Sequence, residues 1–255
     1  MTDDTVYDCL INFLGQKQII VEPQFQYGKE FDYNKLKEEE VRKQLELIFQ
    51  FHKSMIGLNS YMIKRLENKT GKTVEEYKVN IRKLKRQIKT IELKSPNNEY
   101  EELLLKQGNH YIVRAQRCID EINKCNYINL ITRSMNNNEV CLGNTDFENL
   151  GYLNKIVIKQ IENCCFNMVE MDCWYLLSRL KRKGKEFNWH SLVNYFCKEH
   201  SIGLDSEGFI LALMSYPYEF MKCCTRYREN KKTWNAEKYK RNLEKAIIKD
   251  GESLV

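Results

Sequence analysis

The chain has 255 residues, of which 42% are hydrophobic and 30% charged, enough apolar material for a substantial buried core and too much for a disordered segment. Its 41 basic and 35 acidic residues leave a surplus of +6 spread over both halves, which argues against a dedicated polyanion-binding tail. No run approaches the ~18 apolar residues that span a bilayer, and none of the 10 cysteines forms a Cys-x₂-Cys pair of the kind that holds zinc.

Only 3 prolines and 11 glycines interrupt the chain, and apolar residues recur at helical spacing along most of it. A mainly α protein with a small β component is predicted. Val6 to Leu14 reads as a short helix, and Ile19, Ile20, Val21, Phe25 and Tyr27 suggest one or two strands broken at Pro23. After the turn Gly28 to Tyr33, an amphipathic helix carries Val41, Leu45, Ile48, Phe49 and His52 on one face. Thr73-x-x-Glu76 forms a capping box before a helix whose stripe runs Tyr77, Ile81, Leu84, Ile88 and Ile91, with lysines and arginines opposite. Ser95 to Asn98 ends it. A second long helix follows with Tyr111, Ala115, Cys118, Ile122 and Cys125 in line, so the two are expected to form an antiparallel hairpin. Lys155 to Ile158 reads as a short strand. The rest is helical: Glu170 to Lys181, Ser191 to His200, Ser206 to Arg228, kinked or split at Pro217, and Ala236 to Ile248.

The stretch Cys141-Leu142-Gly143-Asn144-Thr145-Asp146-Phe147-Glu148-Asn149 has the layout of a phosphotransferase catalytic loop. In such loops an aspartate orients the acceptor hydroxyl and an asparagine five residues later helps hold Mg²⁺. Here the aspartate position reads Asn144, whose amide can hydrogen-bond but cannot take a proton or bring negative charge to a metal. No glycine-rich phosphate loop accompanies it. His52 sits on an apolar helix face and is read as a core histidine, while His110, His190 and His200 have no paired group at useful spacing. The basic runs Arg82 to Arg86 and Arg179 to Lys183 are read as solvated helix faces, with nucleic-acid binding as the other reading.

The order of elements resembles the helical C-lobe of the aminoglycoside phosphotransferase, protein-kinase-like fold, and most closely the CotS-type spore-coat branch. Gly28-Lys29-Glu30-Phe31-Asp32-Tyr33 looks like that branch's hinge and Phe51-His52-Lys53-Ser54 like its Phe/Leu-His-Lys-Ala signature. Tyr216-Pro217-Tyr218-Glu219-Phe220, then Tyr227, then Lys231-Lys232-Thr233-Trp234, resembles its carboxyl-terminal pattern. The resemblance covers residues 26 to 248 and implies a Cys-His-Gly-Asp loop where this chain reads Cys141-Leu142-Gly143-Asn144, with Asn149 in place. It also implies a metal-binding Ile-Asp-Phe-Asp segment twelve residues before Asp172, where this chain has Gln160-Ile161-Glu162.

On that resemblance, residues 1-33 are expected to be a remnant N-terminal lobe and hinge, and 34-255 the helical lobe. With Leu142, Asn144 and Asn149 as degenerate loop positions and Gln160 and Glu162 as degenerate metal positions, the implied protein is not an enzyme. It would be a pseudokinase without cofactor or metal that acts in spore-coat assembly or sporulation. Two alternatives stay open: a divergent small-molecule phosphotransferase using ATP, and a nucleic-acid-binding helical module. The expected partners are other proteins, among them coat or sporulation proteins, or a second copy, with no membrane. Tyr216, Phe220, Tyr227 and Trp234 are the candidate contacts, set against a reading in which they only pack helices together. The acidic amino terminus and unpaired thiols point to a cytoplasmic protein, with deposition in the coat implied by the resemblance.

Overall fold

The computed structural model describes residues 4–24, 31–58 and 66–255. Its first elements are helix α1 (Asp4–Gln16), strand β1 (Ile20–Val21), a 3₁₀ turn (Tyr33–Lys35) and helix α2 (Glu38–Ser54). Helices α3 (Lys72–Lys94), α4 (Glu99–Lys124) and α5 (Tyr127–Asn137) follow. Four short strands come next: β2 (Val140–Cys141), β3 (Leu150–Tyr152), β4 (Ile156–Ile158) and β5 (Cys165–Phe166). The chain closes with α6 (Glu170–Arg182), α7 (Trp189–Glu199), α8 (Leu204–Ser215), α9 (Tyr218–Arg228) and α10 (Ala236–Asp250). The described fold is mainly helical with a small β component, as its sequence pattern predicts. No helix among the described residues is long and apolar enough to cross a membrane.

Two compact units emerge. The first comprises Met1–Gly71, Asn126–Leu177 and Phe187–Ile210. Within it β4 is central in a three-stranded sheet ordered β1-β4-β3, parallel to β1 with Ile20 opposite Val157 and antiparallel to β3 with Gly151 opposite Val157. β2 and β5 pair antiparallel, Cys141 opposite Cys165. The face of α2 that carries Val41, Leu45, Ile48 and Phe51 is buried, together with Leu150 and Ile158 from the sheet and Leu192 and Phe196 from α7. Phe49, expected on that face, is half-buried. Phe25, Tyr27 and the hinge residues Gly28, Lys29 and Glu30 lie outside the described residues.

The second unit comprises Lys72–Cys125, Ser178–Glu186 and Leu211–Val255. Here α3 and α4 lie together as a hairpin. Gly108 on α4 permits the close approach, because a Cβ there would overlap Ile88 Cδ1 of α3. Stacked rings fix the rest: Tyr77 on Tyr216 at 3.5 Å and Tyr111 on Phe220 at 4.0 Å between centroids. Tyr216 and Phe220 are 3% and 0% exposed, so two of the four expected contact residues are core and present no surface.

One local expectation is corrected. α3 starts at Lys72, behind Gly71 at φ +81°, so Thr73 lies inside the first turn rather than at the cap. The expected split at Pro217 is present: α8 and α9 are separate helices, since Pro217 lacks the N–H that would continue α8. α4 ends at Cys125 because Asn126 adopts a left-handed conformation (φ 49°, ψ 42°) that its short amide tolerates, and α5 starts afresh.

Candidate active site

The loop between β2 and β3 is bound from three sides by residues of the first unit. From α2, the buried Gln44 donates its amide to Thr145 O at 3.0 Å and Leu150 O at 2.9 Å, holding the middle and the end of the loop. From α6, the buried Asp172 carboxylate accepts Leu142 N–H at 2.7 Å and Gly143 N–H at 2.8 Å. From within, Asn149 donates to Asn144 O at 2.7 Å and to Gln160 O at 3.1 Å and accepts Gln160 N–H at 2.8 Å. Asn149 therefore ties the loop to the segment after β4. Gly143 takes φ +76°, where a Cβ would stand 2.5 Å from Asn163 O, so only glycine fits this turn.

Those bonds bring Asn144, Asn149 and Gln160 together, with Glu162 two residues along the same segment. Leu142 is 0% exposed, an apolar filler at the loop's base. Asn144 is half-buried, whereas Gln160 and Glu162 are exposed. Asp146, a carboxylate two residues past Asn144, is 2% exposed; its Oδ1 accepts the Tyr33 hydroxyl at 2.5 Å and Phe147 N–H at 3.0 Å. Phe31 stacks on Phe147 at 4.5 Å. Asp146 is thus an anchor of the loop.

Beneath the loop runs a buried relay. His52 Nε2 lies 2.9 Å from Asp172 Oδ2, His52 Nδ1 lies 2.9 Å from His200 Nε2, and His200 Nδ1 lies 3.0 Å from Phe196 O. A carbonyl oxygen can only accept, so His200 Nδ1 carries the hydrogen and Nε2 offers its lone pair. The bond between the rings is then donated by His52. Burial, followed by the neighbouring His52, pushes His200 down to about 3, which keeps it neutral. Cys141 Sγ donates to Met168 O at 3.1 Å, and burial raises its thiol well above the ordinary range, so it is no nucleophile. His52, Cys141 and Asp172 could in principle surround an ion. Their own hydrogen bonds already occupy those atoms.

Arg133 on α5 completes the frame. It bonds Glu139 at 2.9 Å and the fully buried Glu170 at 2.7 Å, and Glu170 also accepts the Ser206 hydroxyl at 2.6 Å. Sequence reading missed Gln44, Asp146, Arg133 and His200. The first three carry a weak signal, a polar residue on an otherwise apolar face or beside a motif. His200 carries none, since its partner is 148 positions away.

The four aromatic contact candidates separate by place. Tyr216 and Phe220 are interior, as described, while Tyr227 and Trp234 line a groove of the second unit.

No protein-family model matches the sequence, and no curated protein matches it. Among solved structures, the chain is similar to an aminoglycoside phosphotransferase from Alicyclobacillus acidocaldarius, with a TM-score of 0.72 at 14% identity over 96% of this chain and 78% of that one. It is also similar to spectinomycin phosphotransferase in complex with ADP and spectinomycin, with a TM-score of 0.52 at 13% identity over 96% and 81%. This overturns the expectation that the chain is not an enzyme. Both of these structures are of phosphotransferases, and nothing in the braced loop shows that catalysis is lost. The chain has the kinase-like fold of the aminoglycoside phosphotransferases.

Proposed function

We propose that the chain is a small-molecule phosphotransferase that moves the terminal phosphoryl group of a nucleoside triphosphate to a hydroxyl of a small organic acceptor. The observation that carries this reading is Asn149, whose three hydrogen bonds lock the loop to the segment after β4. Such a lock holds the loop and the segment after β4 in one fixed arrangement, as a positioned reaction centre requires.

Phosphoryl transfer goes through a loose transition state in which catalysis is mostly positioning and charge stabilisation. In the reaction the acceptor oxygen bonds to phosphorus, the bond to the leaving diphosphate breaks, and the hydroxyl proton passes to an oxygen of the transferred group. Asn144 serves such a reaction by accepting the hydroxyl's hydrogen bond through its amide oxygen and so aiming the nucleophile. It cannot act as a base, which slows the step without removing the path. Gln44, Asp172 and Asp146 keep the loop rigid.

The donors present fit a Mg²⁺-type cation. Glu162 offers a carboxylate, and Gln160 and Asn149 offer amide oxygens, of which Asn149 Oδ1 keeps a second lone pair beyond its bond to Gln160 N–H. Magnesium is commonly held by one or two carboxylates together with phosphate oxygens. When bound, it would neutralise phosphate charge. Kinship with the CotS-type branch is the narrower form of this proposal and rests on the Tyr216 to Trp234 sequence pattern.

A thermal-shift series with ATP, ADP and GTP, with and without Mg²⁺, tests the reading. We expect nucleotide stabilisation that grows with Mg²⁺, and loss of the Mg²⁺-dependent part in Glu162→Gln. Absence of any shift at millimolar nucleotide would contradict it.

A further inference from the structure

The second unit contains a groove of about 880 Å³ that the phosphotransferase reading does not use. Its volume lies inside the roughly 300–1,000 Å³ span of small-ligand sites. One wall is α3, part of the basic run noted in the sequence; the other is the end of α9 and the turn that leads to α10.

The aromatic side of the groove is built rather than incidental. Tyr227 donates its hydroxyl to the buried Glu101 at 2.9 Å and accepts from Asn98 Nδ2 at 3.0 Å, which fixes the ring. Tyr227 and Tyr239 meet edge to face at 5.0 Å, and Trp234 lies 5.3 Å from Tyr239. Tyr100 stacks on one face of Tyr227 at 4.0 Å and Lys238 lies over the Trp234 ring at 5.4 Å, and what the two rings leave uncovered lines the groove, where a planar group can meet it.

Charge selects the ligand further. Four cations, Lys83, Arg86, Arg228 and Lys232, line the groove against two carboxylates, Glu101 and Glu229. Glu229 is already engaged by Lys83 at 3.4 Å and by Lys231 at 2.7 Å, and Glu101 by Tyr227. Arg228 is directed to Gln87 at 3.3 Å. Among the described residues, Arg86 and Lys232 have no ion-pair partner, and they stand on opposite walls.

We propose that this groove is a binding site for a small organic anion with a planar ring, of the nucleoside monophosphate type, with the ring against Tyr227 and Trp234 and the anionic group between Arg86 and Lys232. The site is independent of phosphoryl transfer. Its ligand is either a free nucleotide or an unpaired nucleotide of a single-stranded nucleic acid, since both present the same chemistry.

Calorimetric titration with adenosine monophosphate in the absence of metal tests it. Saturable binding should weaken about tenfold or more in the pair Arg86→Gln and Lys232→Gln, a loss of about 1.4 kcal/mol. It should change little in the control pair Arg82→Gln and Lys89→Gln, which removes the same charge from α3 at positions that do not line the groove and leaves both walls intact. Ribose 5-phosphate, which lacks the ring, should bind more weakly than the nucleotide. Loss of an oligothymidylate's binding in the same groove pair would identify the polymer as the source, whereas loss of the mononucleotide alone would identify the free ligand. No saturable binding, an equal loss in the control pair, or equal affinity for ribose 5-phosphate would each overturn the proposal. Phosphoryl-transfer assays on the groove pair keep this test separate, because that activity should be retained.

Discussion

Asp172 does more than begin a helix. Its carboxylate receives two loop N–H groups and faces His52, so it couples α2, α6 and the loop through one buried charge. Replacement by asparagine turns an NH₂ toward groups that already donate. Asp172→Asn should therefore destabilise the fold by about 3–5 kcal/mol, the range for breaking a buried pair; urea unfolding checks it, and a change below about 1 kcal/mol would show the carboxylate is not the brace. His200 makes a separate pH signature. With its folded pKa lowered to about 3 from an ordinary 6.5, the unfolded chain binds a proton that the folded chain refuses across that window. Stability must fall as pH drops from 6.5 toward 3, with this residue contributing up to about 1.4 kcal/mol per pH unit. Denaturant titrations should show that the stability advantage of the native protein over His200→Gln shrinks with acidification, while a difference that stays flat would refute the assignment. Such pairings are hard to see in a sequence. His52 was legible as a buried residue from its helix face, but neither its contact with His200 nor the Gln44 bonds can be read from local spacing.

At the scale of elements, the α3–α4 hairpin illustrates what periodicity can and cannot reveal. Tyr77, Ile81, Leu84, Ile88 and Ile91 are all buried, as their spacing along α3 predicts. Gly108 is the hidden partner. A glycine in mid-helix reads as a local weakness, yet here it lets Ile88 reach the α4 backbone. Gly108→Val should cost about 1–3 kcal/mol through overpacking. The double variant with Ile88→Ala should recover part of that loss, because the clash is with one side chain; strictly additive losses in a double-mutant cycle would show that the two do not meet. The short strands were less legible. β2, β3 and β5 have two or three residues each, too few to display an alternating pattern, and their pairing is set by long-range contacts instead. One helix start was misread where a single backbone conformation decides, at Gly71, whereas the break at Pro217 was legible because proline removes a donor.

Across the whole molecule, the fold was visible in the order of helices and loop even though identity to the similar solved structures is only 14% and 13%. Buried-face periodicity survives when individual residues change and shows the helices; the kinase-like architecture came from the resemblance in element order and motifs. Judging Asn144 and Gln160 by residue type alone led to an expectation of lost catalysis. Their setting is kept all the same, because Asn149 binds the Asn144 carbonyl and the Gln160 backbone whatever side chains stand there. A phosphotransferase that relies on placement needs this scaffold more than it needs a strong base. The most direct measurement is transfer of the terminal phosphoryl group from labelled ATP with Mg²⁺ to a panel of amino sugars, aminocyclitols, sugars and amino alcohols. The account predicts acceptor-dependent turnover that falls about a hundredfold in Asn149→Leu, as expected when reacting groups are misplaced. Absence of transfer to every acceptor by the folded protein, or turnover unchanged in Asn149→Leu, would contradict it.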